Sequence, residues 1–126
     1  MRALLDTSVL IAHEGPAGDV EGAISAASLA ELYFGVLVAS AEDERARRVR
    51  RLGVIEATFD ALPLDAEVCR EWGRLSAAVA ARGGKPRARA MDLAIAATAT
   101  VNRVPLLTLN SRDFRIIEDL VEVRAP

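Results

Sequence analysis

Short apolar runs punctuate this 126-residue chain and alternate with longer stretches of helical period. The runs at 3–5, 24–27, 61–64, 105–109 and 121–123 have the length and residue types of strands. The stretches at 28–40, 42–59, 65–82 and 90–102 have helical length, and stops follow two of them, Gly83 with Gly84 and Val104 with Pro105. Strands separated by helices pair in parallel through right-handed crossovers. The pattern therefore predicts an α/β fold with a central parallel sheet of about five short strands, flanked by helices in three layers, α/β/α. No internal repeat, linker or low-complexity tract interrupts the order, and residues 1–126 read as a single domain.

One helix departs from the usual amphipathic pattern. SLAELYFGVLV is apolar around most of its circumference, so it is either wholly buried or covered on its second face by another subunit. In so small a chain the second arrangement is favoured, which predicts a homodimer. Tyr33 and Trp72 fall within helical patterns and read as core or interface residues.

Composition narrows the chemistry. At 52% hydrophobic and 27% charged the chain is globular. Charges interrupt every apolar run before it reaches the ~18 residues of a membrane span. The apolar start carries Asp6 and leads straight into patterned sequence, unlike a secretory signal, so a cytoplasmic location is expected. One cysteine, Cys69, and one histidine, His13, exclude an internal disulfide and leave too few soft ligands for structural zinc. The net charge of −2 argues against a protein that grips nucleic acid with its whole surface, though not against local basic clusters.

Ligands of open parallel sheets bind at the carboxyl ends of the strands. Four acids are expected on that edge: Asp6 ends the first strand, Glu31 falls in the first turn of the helix after the second, Asp92 lies near the start of the helix that leads to the fourth, and Asp113 follows that strand. Each also has a plain structural role available. Ser28-x-x-Glu31 matches a capping box, Asp92 and Asp113 suit first helical turns, Asp65 is an ordinary N-cap, and Asp6 could cap a helix starting near Ser8. Together they are harder to explain that way. Carboxylates ~5 Å apart repel by about 3 kcal/mol per pair at an effective dielectric of 20, so the cluster predicts a cation. An all-oxygen site suits Mg²⁺ or Mn²⁺ rather than zinc or copper.

Four segments in this order, LLDTSVLI, ISAASLAELYFGV, RARAMDLAIAATA and LLTLNSRDF, resemble the PIN-domain ribonucleases and in particular the VapC-like toxins of toxin-antitoxin pairs. The resemblance implies an acidic quartet of Asp6, Glu31, Asp92 and Asp113, with Thr7, Ser8 and Asn110 as supporting polar groups. It implies Mg²⁺-dependent endoribonuclease activity, with Mn²⁺ able to substitute. Asp6, Asp92 and Asp113 would hold the metal, and Glu31 would orient or deprotonate the attacking water. A VapB-like antitoxin is the implied partner, with DNA reached only through it. The connection at 12–23, GPAGDVEG at its centre, looks shorter than in many relatives and could alter the lip of the site.

Within that frame Arg82, Lys85, Arg87 and Arg89, which lead into Asp92, become candidates for RNA contact. The arginines of EDERARRVRR instead read as a solvated helix face with i,i+4 pairs. His13 alone cannot supply the acid and base of metal-free cleavage. Two alternatives remain open: a catalytically silent binding module with the same fold, and an aspartyl-phosphate phosphatase or receiver-like protein. The latter lacks the second acid at position 8 or a lysine after Lys85. No P-loop or G-x-G-x-x-G is present.

Overall fold

The computed structural model describes residues 1–12 and 20–126; His13 and most of the connection at 12–23 lie outside the described residues. The elements follow in the order β1 (Arg2–Leu5), α1 (Thr7–Ile11), β2 (Glu21–Ser25), α2 (Ala26–Leu37), α3 (Glu42–Thr58), β3 (Ala61–Leu62), α4 (Ala66–Ala81), α5 (Ala90–Val101), β4 (Leu106–Leu107) and β5 (Val123–Arg124). A 3-10 turn, Pro86–Arg89, precedes α5, and a 3-10 segment, Ser111–Ile117, joins β4 to β5.

All strand pairs are parallel, in the order β3-β2-β1-β4-β5, as the alternating pattern predicts. The chain moves outward from β1 through β2 to β3, then returns to lay β4 on the other side of β1. That reversal makes the carboxyl ends of β1 and β4 the switch point at which an open parallel sheet presents its crevice. Register aligns the two strands there, with Leu4 opposite Leu106 and Leu5 opposite Leu107.

Period-two alternation along the strands sends side chains to two cores. Leu4, Ala23 and Leu106 face a layer built from α4, α5 and the 111–117 segment, where Val68, Leu75, Ile95, Phe114 and Ile117 are buried. Ala3, Leu5, Ile24 and Leu107 face the opposite layer, against Leu10, Leu32, Leu52 and Ile55 of α1, α2 and α3. Helix α5 is buried continuously from Leu93 to Ala99. Its run of alanines allows close approach to both the sheet and α4. At the end of α4, Gly83 takes φ +85°, the left-handed conformation that stops the helix where the sequence places a stop.

The boundary between β2 and α2 differs from expectation. The strand begins at Glu21 rather than 24, and the helix starts at Ala26 with Ser25 as its cap, accepting from the Ala27 N–H at 3.1 Å. Ser25 Oγ also lies 3.0 Å from Thr98 Oγ1 on α5, which fixes the start of α2 against the opposite helix layer. The capping-box reading of Ser28 and Glu31 is therefore overturned. Ser28 is buried inside α2, and Glu31 falls in its second turn rather than its first. By contrast, Asp65 caps α4 as expected, accepting from the Val68 N–H at 2.9 Å.

Helix α2 buries Ala27, Leu32 and Val36, while Tyr33, Phe34, Leu37 and Val38 remain exposed, Phe34 at 66% and Leu37 at 73%. Among the described residues no helix is long and apolar enough to cross a membrane.

Candidate active site

The site is organised by Asp6, which follows β1 directly and is only 5% exposed. Its place at the start of α1 is that of a cap, yet its side chain makes no capping hydrogen bond. Instead Oδ2 accepts from two hydroxyls, Ser8 Oγ at 2.8 Å and Thr108 Oγ1 at 2.7 Å. Backbone geometry sets the direction of both donations. The Leu109 N–H donates to Ser8 Oγ at 3.1 Å and the Asn110 N–H to Thr108 Oγ1 at 3.0 Å, so each hydroxyl turns its own proton toward the carboxylate. One oxygen of Asp6 is thus held from both sides of the switch point, by Ser8 on α1 and by Thr108 just past β4.

Thr7 points to the other side and donates to Glu31 Oε1 at 2.7 Å, with Ser28 Oγ 3.0 Å away. The buried hydroxyls of Thr7 and Ser28 fix Glu31 on α2 relative to α1. Asp92 sits in the first turn of α5, partly buried. Its carboxyl is pushed up to about 6, first by burial, then by the negative charges of Asp6, Asp113 and Glu31, while Arg89 opposes the rise. All four acids therefore share one field. Asp113 lies in the 111–117 segment and is more open than Asp92.

The chain itself supplies part of the positive charge that the cluster demands. Arg89, at the end of the 86–89 turn, places Nη1 3.0 Å from Asp113 Oδ1 and 3.7 Å from Asp92 Oδ2. The other predicted groups separate. Asn110 occupies the cap position of the 111–117 segment, its side chain making no capping bond. Lys85 and Arg89 line a cleft beside the acids. Arg87 is exposed in the same turn. Arg82 is committed elsewhere: it donates to Ile116 O at 2.7 Å and forms a two-pronged pair with Asp119 at 2.7 and 3.1 Å.

Two participants, Thr108 and Ser28, have no place in the site as the sequence alone presents it. Thr108 had a signal in principle, a hydroxyl just past the apolar pair of β4, but its meaning depends on β4 lying beside β1. Ser28 was legible only as a cap.

Among the described residues no three acidic, histidine or cysteine side chains enclose a ready-made metal cage. The donors are all oxygens, and the arrangement is open. Mg²⁺ commonly binds through one or two carboxylates, completing its octahedron with water and substrate phosphate. The donor set fits that kind of ion and does not fit a closed site such as structural zinc.

Comparison with known proteins agrees with this architecture. The chain belongs to the PIN-domain family, whose model matches residues 3–120. Within it, the chain is similar to Ribonuclease VapC5 of Mycobacterium tuberculosis (strain ATCC 25618 / H37Rv), with 36% identity over 126 aligned positions, 95% of this chain and 90% of the relative. Ribonuclease VapC4 of the same strain is 34% identical over 125 positions, covering 94% of this chain and 93% of the relative. The crystal structure of VapBC-5, a member of the VapBC family of toxin-antitoxin systems from Mycobacterium tuberculosis, matches with a TM-score of 0.83 at 35% identity, covering 98% of this chain and 96% of that one. The resemblance carried by the four sequence motifs is borne out.

Proposed function

We propose that this protein is the toxin of a VapBC-like pair, a cytoplasmic, metal-dependent endoribonuclease that hydrolyses RNA phosphodiester bonds at the acidic edge of β1 and β4. The observation that carries the reading is the meeting of Asp6, Glu31, Asp92 and Asp113 in one field at the switch point, expressed in the raised Asp92 carboxyl. Asp6 and Asp92 would hold Mg²⁺ or Mn²⁺, with Asp113 adding a third carboxylate. When bound, such an ion polarises the phosphoryl oxygen and makes its water a nucleophile near neutral pH.

The chain's own groups do the rest. Ser8 and Thr108 hold Oδ2 of Asp6 and so present Oδ1 to a ligand. Glu31, oriented through Oε1 by Thr7, takes the proton of the attacking water on its other oxygen. Arg89, beside Asp113, offers a guanidinium to the charge that develops on the phosphate. Lys85 and Arg87 extend that positive side toward the substrate, and Asn110 is a polar group at the rim.

The test is cleavage of RNA by the purified protein. Cleavage is expected with Mg²⁺ or Mn²⁺ and absent in excess EDTA; equal cleavage in EDTA would sink the mechanism. Metal binding is also expected to depend on pH with a defined sign. A carboxyl with a pKa of about 6 is mostly protonated at pH 5 and ionised at pH 8. Calorimetric Mg²⁺ affinity should therefore fall about tenfold between pH 8 and pH 5. An affinity unchanged over that range would remove Asp92 from the ligands.

The partner is proposed to be a VapB-like antitoxin, by analogy with the VapBC complex it matches, and DNA enters only through that partner. The exposed apolar face of α2, Tyr33, Phe34 and Leu37, with Val38 just past its end, supports a homodimer. Light scattering is expected to give twice the chain mass, and Phe34→Glu with Leu37→Glu should return it to that of one chain. A dimer unaffected by both substitutions would place the interface elsewhere.

A further inference from the structure

Between the 86–89 turn and the 111–117 segment runs a cleft of about 580 Å³ that shares Arg89 and Asp113 with the acidic site. Its floor is apolar, formed by Val79 and Ile116. Gly84 shapes that floor. A Cβ there would stand 2.7 Å from Cγ1 of Val79 and 2.9 Å from Cδ1 of Ile116, closer than packed atoms tolerate. With no side chain, the turn folds back on α4, the Gly84 N–H donates to the Val79 carbonyl at 2.9 Å, and Lys85 is carried to the cleft wall.

Four cations line the cleft: Lys85 and Arg89 on one side, Arg112 and Arg115 on the other. Arg89 is engaged with Asp113 and Asp92. Among the described residues the side chains of Lys85, Arg112 and Arg115 have no ion-pair partner. Arg82 sets the separation of the walls, since its bonds to Ile116 O and Asp119 tie the end of α4 to the far side. Asp113 is the one acid among the lining residues and Arg89 already engages it, so the charges of the other three cations are left unbalanced and favour an anion. The lining contains no aromatic ring, so it offers no platform on which a base could stack.

We infer that this cleft is the subsite for the RNA backbone next to the scissile phosphate, with Lys85, Arg112 and Arg115 on a flanking phosphate and Arg89 at the boundary with the acids. The inference rests on reading those acids as the site of phosphodiester hydrolysis. A strand threaded past four carboxylates must leave on a side that accepts negative charge, and the cleft is a cation-lined exit that adjoins them. Contacts there go to phosphate, so the cleft supplies affinity and register rather than base recognition. Arg112 and Arg115 thereby join Lys85 as substrate-binding residues, while Arg82 is a positioning residue for the wall.

The experiment measures binding of a fluorescein-labelled single-stranded RNA of about ten nucleotides, in Mg²⁺, by Asp6→Asn protein, which keeps the RNA intact. Adding Arg112→Gln and Arg115→Gln is expected to weaken binding about tenfold and to flatten the dependence of log Kd on log salt by about 0.7 per lost phosphate contact. In the active background the same pair should raise KM. Arg70→Gln with Arg103→Gln, two exposed arginines outside the cleft, is the control for the loss of two charges. Unchanged affinity and salt slope in the cleft variant, or an equal loss with Arg70→Gln and Arg103→Gln, overturns the inference. Should the unsubstituted protein cleave no RNA while the cleft variant still loses binding, the hydrolytic reading fails and the cleft stands. Should it cleave while the cleft variant binds like its parent, the cleft alone fails. Loss of binding to an acidic peptide but not to RNA would also overturn it.

Discussion

Asp6→Asn is expected to lower kcat/KM for RNA by at least about 10³-fold with the fold intact, the loss of several kcal/mol of stabilisation at the reacting phosphate. The amide has nearly the shape of the carboxylate, and its carbonyl oxygen can still accept from Ser8 and Thr108 as Oδ2 of Asp6 does. What it cannot do is present a negatively charged oxygen to a metal. Removing the charge also relieves repulsion from the other acids that raise the Asp92 carboxyl. The melting temperature should therefore hold or rise, and the rise on adding Mg²⁺ should shrink. Cleavage by Asp6→Asn protein at the parent rate would exclude Asp6 from the chemistry. A collapse of the melting temperature would assign Asp6 to the fold instead. Ser8→Ala and Thr108→Val bracket this result: each removes one hydroxyl from Oδ2, leaves the charge, and is expected to cost less activity than the loss of the charge itself.

The strand-terminal acid was legible because a carboxylate after an apolar strand has few plain structural uses. The sheet order was legible only as a class. β3, β4 and β5 are two residues long each, and their neighbours follow from packing across the chain rather than from local pattern. β2 was read short because Glu21 and Gly22 carry no apolar signature. They pair with Arg2 and Ala3 through the backbone, which any residue type can do. Local pattern puts Ser25 inside the strand and makes Ser28 the cap, whereas in the fold Ser25 is the cap and Ser28 lies within the helix. The deciding contact, Ser25 to Thr98, spans 73 positions.

The site shows the same division. Each acid could be located by its place relative to a strand or helix end, but the groups that orient the acids could not. Thr108 reaches Asp6 across 102 positions, and Arg82 meets Asp119 across 37. In sequence the arginine belongs with the basic loop that leads into Asp92, which suggests a substrate contact. Its pairing instead makes it a brace, and the further cations of the cleft come from Arg112 and Arg115, about thirty positions further along the chain. Arg89 has a similar history. A cluster of carboxylates demanded a cation, and part of that demand is met three residues before Asp92 in the chain.

Asp92→Asn should separate stability from activity most sharply, because its two effects are expected to have opposite signs. The Asp92 carboxyl is raised from 3.8 to about 6 by burial and by three neighbouring acids. A folded-state pKa above the unfolded value means that the fold holds this proton more tightly than the open chain does. Its contribution is greatest below the unfolded value, declines as pH rises toward 6, and is fully lost above that. At pH 7.5 the metal-free protein therefore carries an ionised Asp92 at a cost on the order of 1–2 kcal/mol, after allowing for the part of the side chain left in water. Asparagine removes that charge and should raise the metal-free melting temperature by roughly 5 °C at pH 7.5. The gain should vanish near pH 4, where the native carboxyl is already protonated. Cleavage should meanwhile fall by about 10²-fold or more, and Mg²⁺ should stabilise the variant less than its parent. The measurements are thermal melts at the two pH values with and without Mg²⁺, alongside the cleavage rate. A variant less stable than its parent at pH 7.5 would mean that the Arg89 pair outweighs the repulsion, and that Asp92 serves the fold as an ion-pair partner before it serves a metal.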